Sequence, residues 1–238
     1  MKEKDVLIRS LSQKEHFTFD DLCDITTLLR GEGGCPWDRE QTHESIRRCM
    51  IEEAYEVVEA IDNRDSVLLC EELGDVLFQI VFHTDIERES DRFKIGDVID
   101  GICRKMIRRH PHVFGAGSAI DGRDALSQWE AIKTEEKQRK TLSSRLRAIP
   151  PMMPALLRAQ KVNEKIGTSI ADADEIGTLL RGQAQALADQ PNADTMGELL
   201  FSIAKLAAAT GLDAEKALSE RTEKVISEAE KLKFYEKN

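Results

Sequence analysis

The sequence has no Cys-x-x-Cys pair, no apolar run of membrane-spanning length, no basic excess and no clear apolar–polar alternation. Each absence removes a class of protein. The five cysteines, Cys23, Cys35, Cys49, Cys70 and Cys103, are scattered. That favours free thiols in a reducing compartment over a zinc site or a disulfide framework. The opening Met1-Lys2-Glu3-Lys4-Asp5 holds no apolar signal core, so the expectation is a soluble cytoplasmic protein with no membrane partner. A formal net charge of −10 argues against a duplex nucleic-acid binder, which normally carries a basic face. An acidic protein can still hold a polyphosphate if a metal carries the contact. With no strand pattern the fold class reads as all-α. The 238 residues suffice for one large domain or two small ones.

Familiar catalytic signatures are missing too. Gly31-Glu32-Gly33-Gly34-Cys35-Pro36-Trp37-Asp38 is Gly-rich but lacks Gly-Lys-Ser/Thr, so it is no Walker loop. No Ser, Cys or His nucleophile arrangement is visible. Glu-x-x-His, which a carboxylate-bridged di-iron bundle would carry, is absent from the acid-bearing segments.

What the chain has is acid at helical spacing. Glu52-Glu53-Ala54-Tyr55-Glu56 lies on one expected helix and Glu72-Leu73-Gly74-Asp75 on the next, with Asp62-Asn63-Arg64-Asp65 as linker. Residues three apart share a helix face. Glu53 and Glu56 therefore project together, as do Glu72 and Asp75, and an antiparallel hairpin aims four carboxylates at one point. The second helix is apolar almost all round from Leu68 to Phe82, the pattern of a buried helix. No Lys or Arg stands three or four positions from any of the four acids. Converging carboxylates repel, and burial raises the cost. A hard divalent cation, Mg2+ or Mn2+, is the simplest compensation. The competing explanation is a solvated acidic face. It suits Glu52 and Glu59, which point away from the stripe Met50, Ala54, Val57, Ile61, and it suits Glu72 and Asp75 poorly. A scaffold that only dimerises is disfavoured, because buried unpaired acids cost stability.

Around this pair the pattern predicts a helix over Phe19–Leu29 and a break at the Gly-rich loop. Asp38 or Thr42 can cap the next helix, with Asp38-x-x-Gln41 at capping-box spacing. Trp37 reads as a packing residue in preference to a base-stacking platform. The acid helices end near Glu89, and a fourth helix covers Ile95–Arg109. Its last turns hold Arg104, Lys105, Arg108 and Arg109, which either complement the helix dipole or bind phosphate. Pro111 ends it, leaving residues 110–115 as a turn with structural histidines. A fifth, exposed helix is expected over Asp124–Lys140. Three prolines in Ile149-Pro150-Pro151-Met152-Met153-Pro154 mark a domain boundary, dividing the chain into 1–148 and 149–238.

Beyond that boundary the chain echoes itself. Met196-Gly197-Glu198-Leu199-Leu200-Phe201 repeats the pattern of Leu73–Phe78, but Thr195 stands where Glu72 would be. Residues 180–185 offer no acid pair. Ser227 and Glu228 replace the pair Arg108 and Arg109. The helical pattern is kept and the charges are not.

Glu-Glu-x-x-Glu followed by Glu-x-x-Asp resembles the MazG family of nucleoside triphosphate pyrophosphohydrolases. Gly34–Asp38, Glu72–Gln79 and Arg108–Phe114 extend the likeness, which covers roughly residues 22–137, with a weaker duplicate over 154–232. The resemblance implies an all-α helical bundle in tandem repeat, Mg2+ dependence with Mn2+ as substitute, homodimers or larger homo-oligomers, and hydrolysis of nucleoside triphosphates to monophosphate and pyrophosphate. It places metal ligands at Glu53, Glu56, Glu72 and Asp75, and phosphate contacts at Lys105 and Arg109, with Arg108 beside them. Glu52 or Glu53 is the candidate base for the attacking water. Residues 1–148 become the domain with an intact acidic motif, and 149–238 a degenerate repeat. The expected duty is house-cleaning of the nucleotide pool. The alternatives are a catalytically weak nucleotide-binding regulator and a pyrophosphohydrolase specific for one (d)NTP.

Overall fold

The acid-bearing hairpin is framed by its caps. In the computed structural model, which describes residues 3–136 and 141–235, the helix α4 covers His43–Asn63 and α5 covers Ser66–Glu89. Thr42 caps α4: its hydroxyl accepts the Ser45 N–H at 3.3 Å, and Ser45 Oγ accepts the Thr42 N–H at 2.9 Å. Arg64 ends α4 in the left-handed region, φ 56°. Asp65 Oδ1 then accepts the N–H groups of Val67 and Leu68, both at 3.0 Å, and starts α5. Two residues therefore reverse the chain, and the expected linker shrinks because Asp62 and Asn63 complete α4. Asp38 caps nothing. It lies inside the short helix α3, Pro36–Glu40.

Before the hairpin come α1 (Glu3–Ser12) and α2 (Phe19–Arg30); after it come α6 (Ile95–Arg109) and a one-turn helix α7 (Pro111–Phe114) where a plain turn was expected. Among the described residues every regular element is helical, as the missing alternation predicts. These elements form one compact unit, Met1–Ala119. Its firmest joint sits where α2 meets the later half of α5. Arg30, 5% exposed, reaches Asp85 at 3.3 Å and Glu89 at 2.8 Å, lies over the Phe82 ring at 4.9 Å, and donates to the Asp38 carbonyl at 2.6 Å. Asp85 also accepts from Thr27 at 2.7 Å and from Arg88 at 2.8 Å. The Gly-rich loop is folded back on the end of α2: a Cβ at Gly34 would collide with the carbonyl oxygens of Leu28 and Leu29, and Gly33 has φ +70°. That loop is built for a tight backbone reversal.

Two sequence expectations need correction. The helix α5 is buried on one side, not all round. Glu72, Gln79, Val81 and Phe82 are buried, while Val67, Leu73 and Leu77 are exposed. Within one chain α2, α4 and α6 cover α5 and leave that stripe open. Trp37 does not pack; it projects from α3 with 62% of its surface exposed.

The second unit, Ile120–Asn238, contains α8 (Gly122–Glu136), α9 (Leu142–Arg147), α10 (Ala155–Ile166), a 3-10 turn (Ile170–Asp172), α11 (Ala173–Asp189), α12 (Ala193–Thr210) and α13 (Ala214–Tyr235). The expected fifth helix appears as α8; residues 137–140 lie outside the described residues. The proline segment 149–154 falls within this unit, which is centred on α12 against α10 and α11, with Ile176, Ala204 and Asn163 buried.

Candidate metal centre

Three acids meet on the α4–α5 hairpin. One carboxylate oxygen from each of Glu53, Glu56 and Glu72 lies within 4.8 Å of the other two. Helical spacing puts Glu53 and Glu56 on one face of α4, and the antiparallel return brings Glu72 against them. Glu72 is buried, Glu53 half-buried and Glu56 exposed.

The cluster is electrostatically uncompensated. Burial pushes the Glu53 carboxyl above its usual range, helped by a hydrogen bond with Glu56 and by the charges of Asp75, Glu56 and Glu72. Burial likewise raises Glu72, followed by the charges of Glu56, Asp75 and Glu71. Among the described residues no Lys, Arg or His forms an ion pair with Glu53, Glu56, Glu72 or Asp75. Asp75 is exposed and stands outside the three-oxygen group, yet its charge acts on both Glu53 and Glu72.

This donor set fits a hard divalent ion. Mg2+ takes oxygens at about 2.0–2.1 Å, and three carboxylate oxygens all within 4.8 Å of one another could hold one such cation. A softer metal would call for sulfur or imidazole, and among the described residues neither belongs to this group.

The other sequence candidates stand outside the three-oxygen group. Glu52 is engaged outside it, accepting from Arg48 Nε at 2.7 Å in an exposed ion pair. Lys105, Arg108 and Arg109 occupy the last turns of α6, which packs on α5. Lys105 and Arg108 are exposed, while Arg109 is buried at 5%.

Sequence reasoning passed over two polar groups on α5. Glu87 accepts from both His43 and Arg92, which hold its carboxyl at about 2; the Arg92 bond is the largest cause. Gln79 is 9% exposed. A polar residue seven positions after Glu72, inside the apolar block Val76–Phe82, was the available signal.

Among the described residues of the second unit no comparable group of acids converges. Gln183 Nε2 of α11 donates to Glu198 Oε2 of α12 at 3.3 Å. An amide there meets the carboxylate, where α4 and α5 oppose acids.

Comparison with known proteins points the same way. Residues 41–114 match the family model described as the MazG nucleotide pyrophosphohydrolase domain. The chain is 40% identical over 221 residues to the nucleoside triphosphate pyrophosphohydrolase/pyrophosphatase MazG of Thermotoga maritima, covering 90% of this chain and 85% of that one. It is 41% identical over 218 residues to the nucleoside triphosphate pyrophosphohydrolase of Escherichia coli K12, covering 86% and 83%. A Mycobacterium tuberculosis protein of the same name is 42% identical over 132 residues, 55% of this chain and 39% of that one.

Proposed function

The chain belongs to the MazG family, and on that premise we propose that it hydrolyses nucleoside triphosphates to monophosphate and pyrophosphate with a divalent cation, Mg2+ by preference. The observation that carries this reading is the convergence of Glu53, Glu56 and Glu72 without a cationic partner among the described residues. Glu53, Glu56 and Glu72 would hold the ion, with Asp75 completing the set. The bound ion would neutralise the phosphates and lower the pKa of water.

The chain's own groups supply the rest. Glu53, through an oxygen left clear of the ion, is the better base for the attacking water, because Glu52 is tied to Arg48. Water attacks the α-phosphorus, and the α–β bridging oxygen leaves with pyrophosphate. Lys105, Arg108 and Arg109 bind the phosphate oxygens as negative charge builds on the leaving group. A second copy of the chain covers the exposed apolar stripe Ile51, Tyr55, Val58 on α4 and Leu73, Leu77 on α5, giving a homodimer or a larger homo-oligomer. Residues 149–238 serve structure. Five free thiols suit the reducing cytoplasm, where such an enzyme would clear unwanted nucleotides.

The test is product analysis with ATP and with deoxynucleotides in Mg2+. Monophosphate and pyrophosphate are expected. Diphosphate with orthophosphate would sink the assignment.

A further inference from the structure

Gln79 is a buried polar residue of the first unit that neither the fold nor the proposed chemistry uses. More than nine-tenths of it is covered, and its amide makes no hydrogen bond to any described residue. Arg30 Nε, Asp85 Oδ2, His112 Nδ1 and Gln183 Oε1 are the fully enclosed side-chain atoms without a hydrogen-bond partner among the described residues. The Gln79 amide is not one of them, so its body is covered while its polar end keeps an opening. Amides in such a position almost always have a partner.

Position says what that partner is. Seven helical residues make nearly two full turns, so Gln79 faces the same side of α5 as Glu72, about 10 Å along the axis. Asp75 lies between them, about 6 Å from Gln79 along the axis. With Glu56 hydrogen-bonded to Glu72 and Asp75 the foremost charge acting on Glu53, the antiparallel register brings Gln79 level with Cys49, half-buried on α4. The amide therefore opens into the α4–α5 seam that the acids occupy, displaced beyond the space needed by an α-phosphate on the cation. The pentose hangs from that phosphate by one oxygen and one carbon, which carries its hydroxyls into this range. An amide offers both donor and acceptor, matching a hydroxyl, which is also both.

We propose that Gln79 forms the sugar subsite, its amide hydrogen-bonded to a ribose hydroxyl of the nucleotide while the phosphates lie at the acids. This inference rests on the pyrophosphohydrolase reading for the identity of the ligand. Gln79 is a binding residue with no part in proton transfer.

The test uses the full chain and Gln79→Met, which keeps side-chain length and removes the amide. Calorimetry with Ca2+ in place of Mg2+ gives affinities for ATP, 2′-deoxy-ATP, 3′-deoxy-ATP and inorganic tripolyphosphate. The wild type should bind ATP about three- to tenfold more tightly than the analogue lacking the contacted hydroxyl. Gln79→Met should lose that preference, weaken ATP by the same factor and leave tripolyphosphate unchanged. Its melting temperature without nucleotide should not fall, because the amide has no protein partner to lose. A lower melting temperature, up to failure to fold, would make the amide structural and overturn the proposal. So would equal wild-type affinity for all three nucleotides, or a preference that survives Gln79→Met. Intact nucleotide binding without turnover would strike at the hydrolase reading and leave the sugar subsite standing. A wild type that binds no nucleotide would overturn both.

Discussion

Replacing Glu72 by Gln removes one charge from a cluster in which Glu53 and Glu72 already hold their protons more tightly than free carboxyls. Without metal the repulsion costs stability, so the apo variant should melt at or above the wild-type temperature. With metal the order reverses. A cation at one hundred times its Kd stabilises the native state by about 2.7 kcal/mol. For a chain of this length each kcal/mol moves the melting temperature by about 2–4 °C. Wild type should therefore gain about 5–10 °C from saturating Mg2+ or Mn2+. If the lost ligand weakens binding a hundredfold, the same ion concentration contributes about 0.4 kcal/mol, and the gain shrinks to about 1–2 °C. Thermal denaturation followed by circular dichroism, with and without the ion, reads both effects. A wild-type melting temperature indifferent to millimolar divalent ions would refute the reasoning. So would an apo Glu72→Gln protein that melts well below wild type, since its carboxylate would then have a stabilising partner within the chain.

Opposite pKa shifts give the pH profile two limbs. Asp21 and Glu87 are held down to about 2, Asp21 chiefly by Lys14 and Glu87 chiefly by Arg92; their stabilisation is complete above the ordinary carboxyl range and is lost as pH falls through about 4 toward 2. Glu53 and Glu72 are raised, so without metal their penalty is absent at acid pH and grows as pH rises through and above the ordinary range; urea unfolding from pH 3 to pH 8 should show a midpoint falling on the alkaline side, and Mg2+ should remove that fall. Lys105→Ala and Arg109→Ala should each cost on the order of 1.5–3 kcal/mol in kcat/KM, roughly ten- to a hundredfold, and for the exposed Lys105 with little effect on folding; unchanged kcat/KM in both would return them to the helix-dipole role. Glu72→Ala should abolish turnover in the full-length protein while Glu198→Ala leaves rate and metal requirement intact; the reverse result, in proteins shown to remain helical, would locate the working site in the second unit.

Much of this architecture was legible because the signals were local. Thr42, Asp65 and Pro111 mark helix limits within a few residues of sequence, and three-residue spacing alone places Glu53 with Glu56. Glu72 could be joined to them because so short a turn admits only an antiparallel return. What was not legible depends on contacts distant in sequence. Arg30 and Asp85 are separated by most of two helices, and nothing near either residue announces their pairing. The apolar stripe Val67, Leu73, Leu77 reads as core by composition, yet a helix is buried only where neighbours exist to cover it. Trp37 misled for the same reason: Pro36 and the tight Gly33–Gly34 reversal start a helical turn that carries the indole outward. Gln79 was hidden by its neighbours, since a polar residue inside an apolar block suggests an exposed face until burial is seen.

In the proposed reaction water attacks the α-phosphorus of a nucleoside triphosphate at Glu53, Glu56 and Glu72. Hydrolysis of ATP in oxygen-18 water, with Mg2+, locates the attacked phosphorus directly by mass spectrometry. One heavy oxygen is expected in AMP and none in pyrophosphate, with no label transfer at all in Glu72→Gln. Label in pyrophosphate, or in orthophosphate released beside ADP, would contradict it.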